Sequence, residues 1–288
     1  MIWSANNLNQ IQGERFVDIH CHCLSDIDDG PASMPESIEL CKALAADGIG
    51  TVIATPHQLG RFDNSNSSEQ IRDAVNQLNE ELKVNEIDLE ILPGGDVRID
   101  ERICQLINED KVMTAADGKR YLMLELVSEV LINIEPLLSE TNRAGLSVII
   151  SHPERYRIVS AKPEIIEKWL ERGVSLQITA GSLLGEFGST AKEASELFLA
   201  EGWISFIATD AHDVYLRRPC MRAAYELIAE KAGVQTAKEL CIENPQRVIR
   251  GEDLAEITEN RIEATRQNAG QHQENSTIAA AGRRARDI

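Results

Sequence analysis

Five histidines of this chain fall where a predicted strand gives way to a loop, each accompanied by carboxylates. His20 and His22 stand in Asp18-Ile-His20-Cys-His22, His57 in Thr55-Pro-His57, His152 in Ser151-His152-Pro-Glu-Arg155, and His212 in Thr209-Asp210-Ala-His212. Other strand ends supply Asp96, after Pro93-Gly94-Gly95, and Glu125, between Leu124 and Leu126. Neutral imidazoles and carboxylates are ligands for divalent ions. Three of them make one site, so five histidines with Asp96, Glu125 and Asp210 suffice for two or three ions. A single histidine at a strand end is ordinarily a cap or a core residue. Potential ligands at strand end after strand end point instead to a shared metal site.

Such residues meet only if the strands that carry them run side by side and in parallel. Short β-rich runs alternate with helical periodicity seven times, the pattern of a parallel sheet wrapped by crossover helices. The predicted strands are Phe16 to His20, Thr51 to Ala54, Leu89 to Leu92, Tyr121 to Leu126, Ser147 to Ser151, Val174 to Thr179 and Ile204 to Thr209. Ser33 with Glu36, and Ser67 with Gln70, read as capping boxes that start helices. Gly48, Gly145, Gly173, Gly202 and Gly233 stand where helix C-terminal caps are expected. Seven units fit an α/β distorted seven-stranded (β/α) barrel, in which the C-terminal ends of the strands converge on one mouth.

The chain has 288 residues, 43% of them hydrophobic, enough to bury a full core. A formal net charge of -18 excludes a nucleic-acid groove and an anionic membrane surface, because both need clustered Lys and Arg. No run of about 18 apolar residues suggests a transmembrane helix, and the first residues lack the basic start and apolar stretch of a signal peptide. Six cysteines without a CxxC pair fit a reduced, cytoplasmic setting. Residues 1–15 read as an N-terminal extension, 16–251 as the catalytic domain, and 252–288 as a polar, disordered tail.

Two cysteine motifs compete with the metal reading. His20-Cys21-His22-Cys23 resembles a zinc knuckle, but strand alternation sends the histidines one way and the cysteines the other. Cys241 and Arg247 have the Cys-x5-Arg spacing of cysteine-dependent phosphatases. There the backbone must cradle a phosphate, and Glu243 adds repulsion while Pro245 removes a donor.

The succession of His20-x-His22, Asp26-x-Asp28-Asp29-Gly30, Thr55-x-His57, Asp96, Glu125, His152 to Arg155, Ala180 to Gly185 and Asp210-x-His212 resembles the bacterial protein tyrosine phosphatases of the polymerase and histidinol phosphatase (PHP) type. The likeness runs from about Phe16 to Gly251. It implies a seven-stranded barrel of PHP type with a trinuclear site usually assayed with Mn2+, Fe and Zn being alternatives. It also implies a phosphotyrosine substrate on a bacterial tyrosine kinase of capsule or exopolysaccharide synthesis. By motif position the metal ligands are His20, His22, His57, Asp96, Glu125, His152, Asp210 and His212. Clustered ions would polarise the phosphoryl oxygens and supply hydroxide as attacking group. Arg155 and Arg217 are the candidates for holding the phosphate, and Asp29 for protonating the leaving tyrosine. Two readings stay beside this one: a phosphoesterase acting on a small substrate such as histidinol phosphate, and a metal-bearing regulator that binds the kinase tail without hydrolysis. The chain departs from the family at Asp96, where Glu is usual, and at Arg217-Arg218-Pro219, where the family has Arg-Pro-Pro.

Overall fold

The computed structural model describes residues 14–127 and 130–254. Nine parallel strands are present among them: β1 (Phe16–Cys21), β2 (Ile49–Ala54), β3 (His57–Gln58), β4 (Glu90–Pro93), β5 (Asp96–Arg98), β6 (Tyr121–Glu125), β7 (Ser147–Ser151), β8 (Ser175–Thr179) and β9 (Phe206–Ala208). They form a three-stranded sheet, β1-β2-β4, and a six-stranded sheet, β3-β5-β6-β7-β8-β9. The seven predicted strand runs are all found. Two of them are followed by a further short strand that was not expected, β3 and β5, which accounts for the higher count. Pro56, which has no N-H to give to a ladder, separates β2 from β3, and Gly94-Gly95 separates β4 from β5. Main-chain bonds tie the two sheets: Asp210 N donates to His20 O at 2.8 Å, His22 N to Ala211 O at 2.9 Å, and Asp96 N to Pro56 O at 3.2 Å.

The central strands are buried on both faces, which is why they read as unbroken apolar runs. Met123 and Ile149 belong to an inner cluster with Val17, Ile19, Ile53 and Phe206. Their neighbours Leu122, Leu124, Val148 and Ile150 face the helices in the outer core. The same alternation sends Cys21 and Cys23, both free thiols, into that outer core with Cys41.

Helices α1 (Met34–Ala46), α2 (Ser68–Val84), α3 (Ile103–Asn108), α4 (Glu135–Arg143), α5 (Arg157–Ala161), α6 (Glu164–Glu171), α7 (Ala180–Leu184) and α8 (Ser189–Ala200) fill the crossovers. After β9 come α9 (Met221–Ala232), α10 (Val234–Lys238), a π-type turn over Glu239–Glu243 and α11 (Asn244–Arg250). The Ser67-Gln70 capping box forms in both directions. The one expected at Ser33 does not, because the Glu36 carboxylate instead accepts from Ala32 N at 2.8 Å. All five glycines expected after helices have positive φ.

The expected tail begins with three residues that pack on the domain: Tyr121 Oη donates to Glu252 O at 2.6 Å, Arg120 pairs with Asp253, and Leu254 lies against the inner cluster. The rest of the tail, from 255, and the extension up to residue 13 lie outside the described residues. None of the described helices is long and apolar enough to cross a membrane.

Candidate metal centre

Register places the first pair of ligands. His57 on β3 lies directly beside Asp96 on β5, and Arg98, two residues on, lies beside Glu125 on β6. His20 and His22 arrive from β1, His152 from the loop after β7, and Asp210 and His212 from the loop after β9. His152 and Asp210 both take left-handed backbone angles, φ 35° and 51°. Such strain in a residue with a side chain is held only where the surroundings fix it, and it is common at functional sites.

All eight expected ligands come together. Four sets of side chains each have ligand atoms within 4.8 Å of one another: His20, His22 and Asp96; His57, Asp96 and Glu125; His20, His152 and Asp210; and His22, Asp29, His57 and His212. Hydrogen bonds orient the imidazoles. His20 Nδ1 meets Gln177 Oε1 at 2.8 Å and His22 Nδ1 meets Asp28 Oδ2 at 2.5 Å. Both acceptors fix the proton on Nδ1, so the two Nε2 lone pairs confront each other at 3.2 Å. His212 Nδ1 likewise faces the Asp210 carbonyl at 3.0 Å. Lone pairs aimed at one another repel unless a cation lies between them, and a ligating histidine ordinarily gives its other N-H to a carboxylate or carbonyl.

The carboxylates lead to the same conclusion. Asp96 Oδ2 and Asp210 Oδ1 are buried oxygens without a hydrogen-bond donor. Asp96 Oδ2 lies 3.4 Å from His57 Nδ1, and Asp210 Oδ1 lies 3.4 Å from His20 Nε2 and 3.5 Å from His22 Nε2. Burial would raise Asp96, but His20, His57 and His152 hold it well below the usual carboxylate range. Burial works against Asp210 too, yet His20, Arg217 and Arg155 keep it ionised. Burial lowers His22 to about 4 and takes His152 well below its ordinary value, so both imidazoles are neutral. These are the protonation states a metal needs. Two groups carry protons that an ion would displace. Burial and the Asp96 charge push Glu125 up to about 7, and His57, despite burial, is raised to about 9 by Asp96 and Glu125. Donor set, orientation and orphaned oxygens therefore fit a cluster of divalent ions.

A cavity of about 270 Å³ opens above the cluster, floored by His57, Glu125, His152 and Asp210. Arg155 Nη1 and Arg217 Nη2 enter it and both reach Asp210 Oδ2 at 2.5 Å. Arg217 Nη1 also donates to His212 Nε2 at 2.8 Å. Arg155 stacks over the Phe187 ring, 4.6 Å from its centre, and Phe62 stacks on His57 with 5.6 Å between ring centres. Arg218 points away and pairs with Glu186 at 2.9 Å.

Asp29 needs correction as a proton donor. His212 and the other imidazoles hold its carboxyl well below the usual range, so it has no proton to give at neutral pH. It faces His57 Nε2 and His212 Nε2 at 3.5 Å each, as a ligand would. Sequence reasoning passed over Asp28, whose carboxylate takes His22 Nδ1-H and the main-chain N-H groups of Gly30 and His57. It also passed over Gln177, over Arg61, which pairs with Asp29 at 2.6 Å, and over Arg98, which pairs with Glu125 at 3.0 Å. The acidic run before Gly30 marked the right loop without assigning its members, and a glutamine inside a strand carries no signal.

The Cys-x5-Arg pair lies elsewhere. Cys241 is buried in the outer core, where burial pushes its thiol above its ordinary value, and Arg247 reaches the Asp253 carbonyl. Cys241→Ser is expected to cost about 1–2 kcal/mol of stability, a hydroxyl replacing a thiol in apolar surroundings, while turnover and bound metal stay near the parent values. Loss of turnover at unchanged metal content would restore the cysteine mechanism.

Candidate ligands at the ends of parallel strands, beneath an arginine-walled cavity, mark an α/β protein whose His and Asp groups could hold metal. The particular family follows from comparison. Residues 16–250 match the CpsB/CapC family of capsular polysaccharide synthesis, and the chain belongs to it. It is 33% identical over 241 residues to the tyrosine-protein phosphatase YwqE of Bacillus subtilis (strain 168), covering 83% of this chain and 93% of that protein. It is 29% identical over 241 residues to the tyrosine-protein phosphatase CpsB of Streptococcus pneumoniae, covering 81% and 98%. A crystal structure from work on YwqE and CpsB, described as unique metal-dependent tyrosine phosphatases, superposes with a TM-score of 0.80 at 32% identity, covering 83% of this chain and 96% of that one.

Proposed function

We propose that the protein is a metal-dependent protein-tyrosine phosphatase that uses two or three divalent ions, Mn2+ foremost, held by His20, His22, His57, Asp96, Glu125, His152, Asp210 and His212 with Asp29. The observation that carries this is the pair of Nε2 atoms of His20 and His22 facing each other at 3.2 Å beside two orphaned carboxylate oxygens, under a cavity with arginine walls. The seven strand runs are read as one distorted barrel of the PHP type, with the main-chain bonds between β1 and the segment after β9 completing its mouth.

Ions bound there would supply Lewis-acid polarisation of the phosphoryl group and lower the pKa of water. The chain's own part is positioning. Arg155 and Arg217 present guanidinium forks that can each hold two phosphoryl oxygens and stabilise charge that builds on them. Phe62 and Leu59 supply an apolar flank for the aromatic ring. A tyrosyl group, with a pKa of about 10, can depart as the phenolate without a dedicated acid, which suits an ionised Asp29. Six free, buried cysteines support a reducing, cytoplasmic setting. Family membership supports a bacterial tyrosine kinase of capsule or exopolysaccharide synthesis as the substrate protein.

The test is phosphate release from a phosphotyrosine peptide by the Mn2+-loaded protein. Arg155→Lys and Arg217→Lys keep the charge and lose the fork, so each is expected to lower kcat roughly 100-fold, the loss typical of one transition-state donor, at unchanged bound metal. Parent rates in both would assign the arginines to holding Asp210 alone.

A further inference from the structure

A second cavity, of about 460 Å³, adjoins the one over the metal ligands, and Gln58, Leu59 and Phe62 line both. Its remaining walls come from the loop that precedes α2, from α3 and from the segment up to Val112. Leu59, Phe62, Leu106 and Val112 give it apolar surface, while Asn64, Asn66 and Gln105 give it amides. The charged side chains at its edge are neutralised across short distances. Asp63 pairs with Arg102 at 3.0 Å, Arg102 also pairs with Asp100 at 2.8 Å, and Glu109 pairs with Lys111 at 2.7 Å. A ligand with its own charge would meet no free counter-charge there and would have to break one of these pairs.

The partition between the two cavities is fixed in place. Buried Gln58 donates to Asn66 O at 2.7 Å and to Lys111 O at 3.3 Å, and accepts from Met113 N at 2.8 Å. Asn66 Nδ2 in turn donates to the carbonyl of His57, a proposed metal ligand, at 2.8 Å. The Ser67-Gln70 box anchors the far end of the same loop. A wall held by this many bonds does not need ordering when a ligand arrives.

We infer that the second cavity is a subsite for the polypeptide that carries the phosphotyrosine, taking an uncharged, apolar side chain a few residues from the tyrosine. This rests on the phosphatase reading and adds a preference for sequence. An extended chain advances about 3.3 Å per residue, so a side chain two or three positions away lies ~7–10 Å from the tyrosine, in the range of an adjoining cavity. The shared wall then separates the tyrosyl ring from that neighbour.

The test compares three substrates of the Mn2+-loaded full chain: phenyl phosphate, a phosphotyrosine peptide flanked by Leu and Ala, and the same peptide flanked by Glu and Lys. Gln105, exposed on α3 and lining the subsite, is changed to Trp to fill it and, as a smaller change, to Glu to place an unpaired charge in it. The apolar-flanked peptide is expected to have kcat/KM about 10-fold above the charged one, within the range that apolar pockets discriminate. Gln105→Trp should raise its KM about 10-fold, leave kcat within about 2-fold and leave phenyl phosphate unaffected. Gln105→Glu should raise the same KM by a smaller factor. Equal kcat/KM for both peptides, unmoved by either variant while phenyl phosphate is hydrolysed, would overturn the subsite alone. Failure to hydrolyse any of the three would bring down the phosphatase reading and the subsite with it.

Discussion

Asp96→Ala is expected to reduce bound metal and to lower phosphate release by more than ~100-fold, beyond what losing an outer hydrogen-bond partner costs a metal site. Asp96 belongs to two of the four candidate ligand sets, so it is the carboxylate that could serve more than one ion. Its Oδ1 accepts from Ser151 Oγ at 3.0 Å, which turns Oδ2 towards His57, His20 and His152 at 3.4, 3.8 and 3.9 Å. Removing the carboxylate leaves three imidazoles without their anion. The fold should survive, since Asp96 stands at the strand end and contributes no apolar packing.

Asp96→Glu introduces the residue that the family resemblance leads one to expect there and is nonetheless expected to lose activity. The backbone before Asp96 runs in close contact with its neighbours, which leaves little room for a longer side chain. At Gly94 a Cβ would lie 2.5 Å from Ile53 Cγ2, and at Gly95 it would lie 2.5 Å from Gln58 Oε1. Close approach of the backbone to its neighbours is thus what the two glycines provide. β5 is paired on both sides, with β3 and β6, and cannot retreat to accommodate another methylene. A ligand displaced by about 1 Å can cost ~100-fold in rate. Elemental analysis and phosphate release on the three proteins check both expectations. A gain in turnover for Asp96→Glu would mean that the native site holds metal without hydrolysis, the behaviour of a regulator.

That the eight candidate ligands would converge was legible in the sequence because parallel strands impose a simple geometry. Residues far apart in the chain, such as His20 and Asp210, must meet if each ends a neighbouring strand, and the apolar runs before them marked those ends. The short strands β3 and β5 were not read, since His57-Gln58 and Asp96–Arg98 stand beyond Pro56 and Gly94-Gly95 and carry no apolar run of their own. Loop paths were the harder part. Asp28 and Asp29 are adjacent and chemically alike, yet one orients His22 and the other faces His57 and His212. That division depends on the left-handed turn at Asp26 and on Gly30, where a Cβ would collide with the His22 carbonyl. Spacing carries no record of either. The same holds for the second cavity, formed where the loop before α2 folds against α3.

Removal of metal is the most direct test of the cluster. The full chain is treated with a chelator, dialysed, and assayed for phosphate release from a phosphotyrosine peptide alongside bound metal, before and after addition of Mn2+. Hydrolysis should fall to background as the metal is lost, and return in step with two or three Mn2+ per chain. Without ions the site lacks the Lewis acid and the activated water on which the proposed hydrolysis depends. Hydrolysis that persists at the parent rate in metal-free protein would contradict the account.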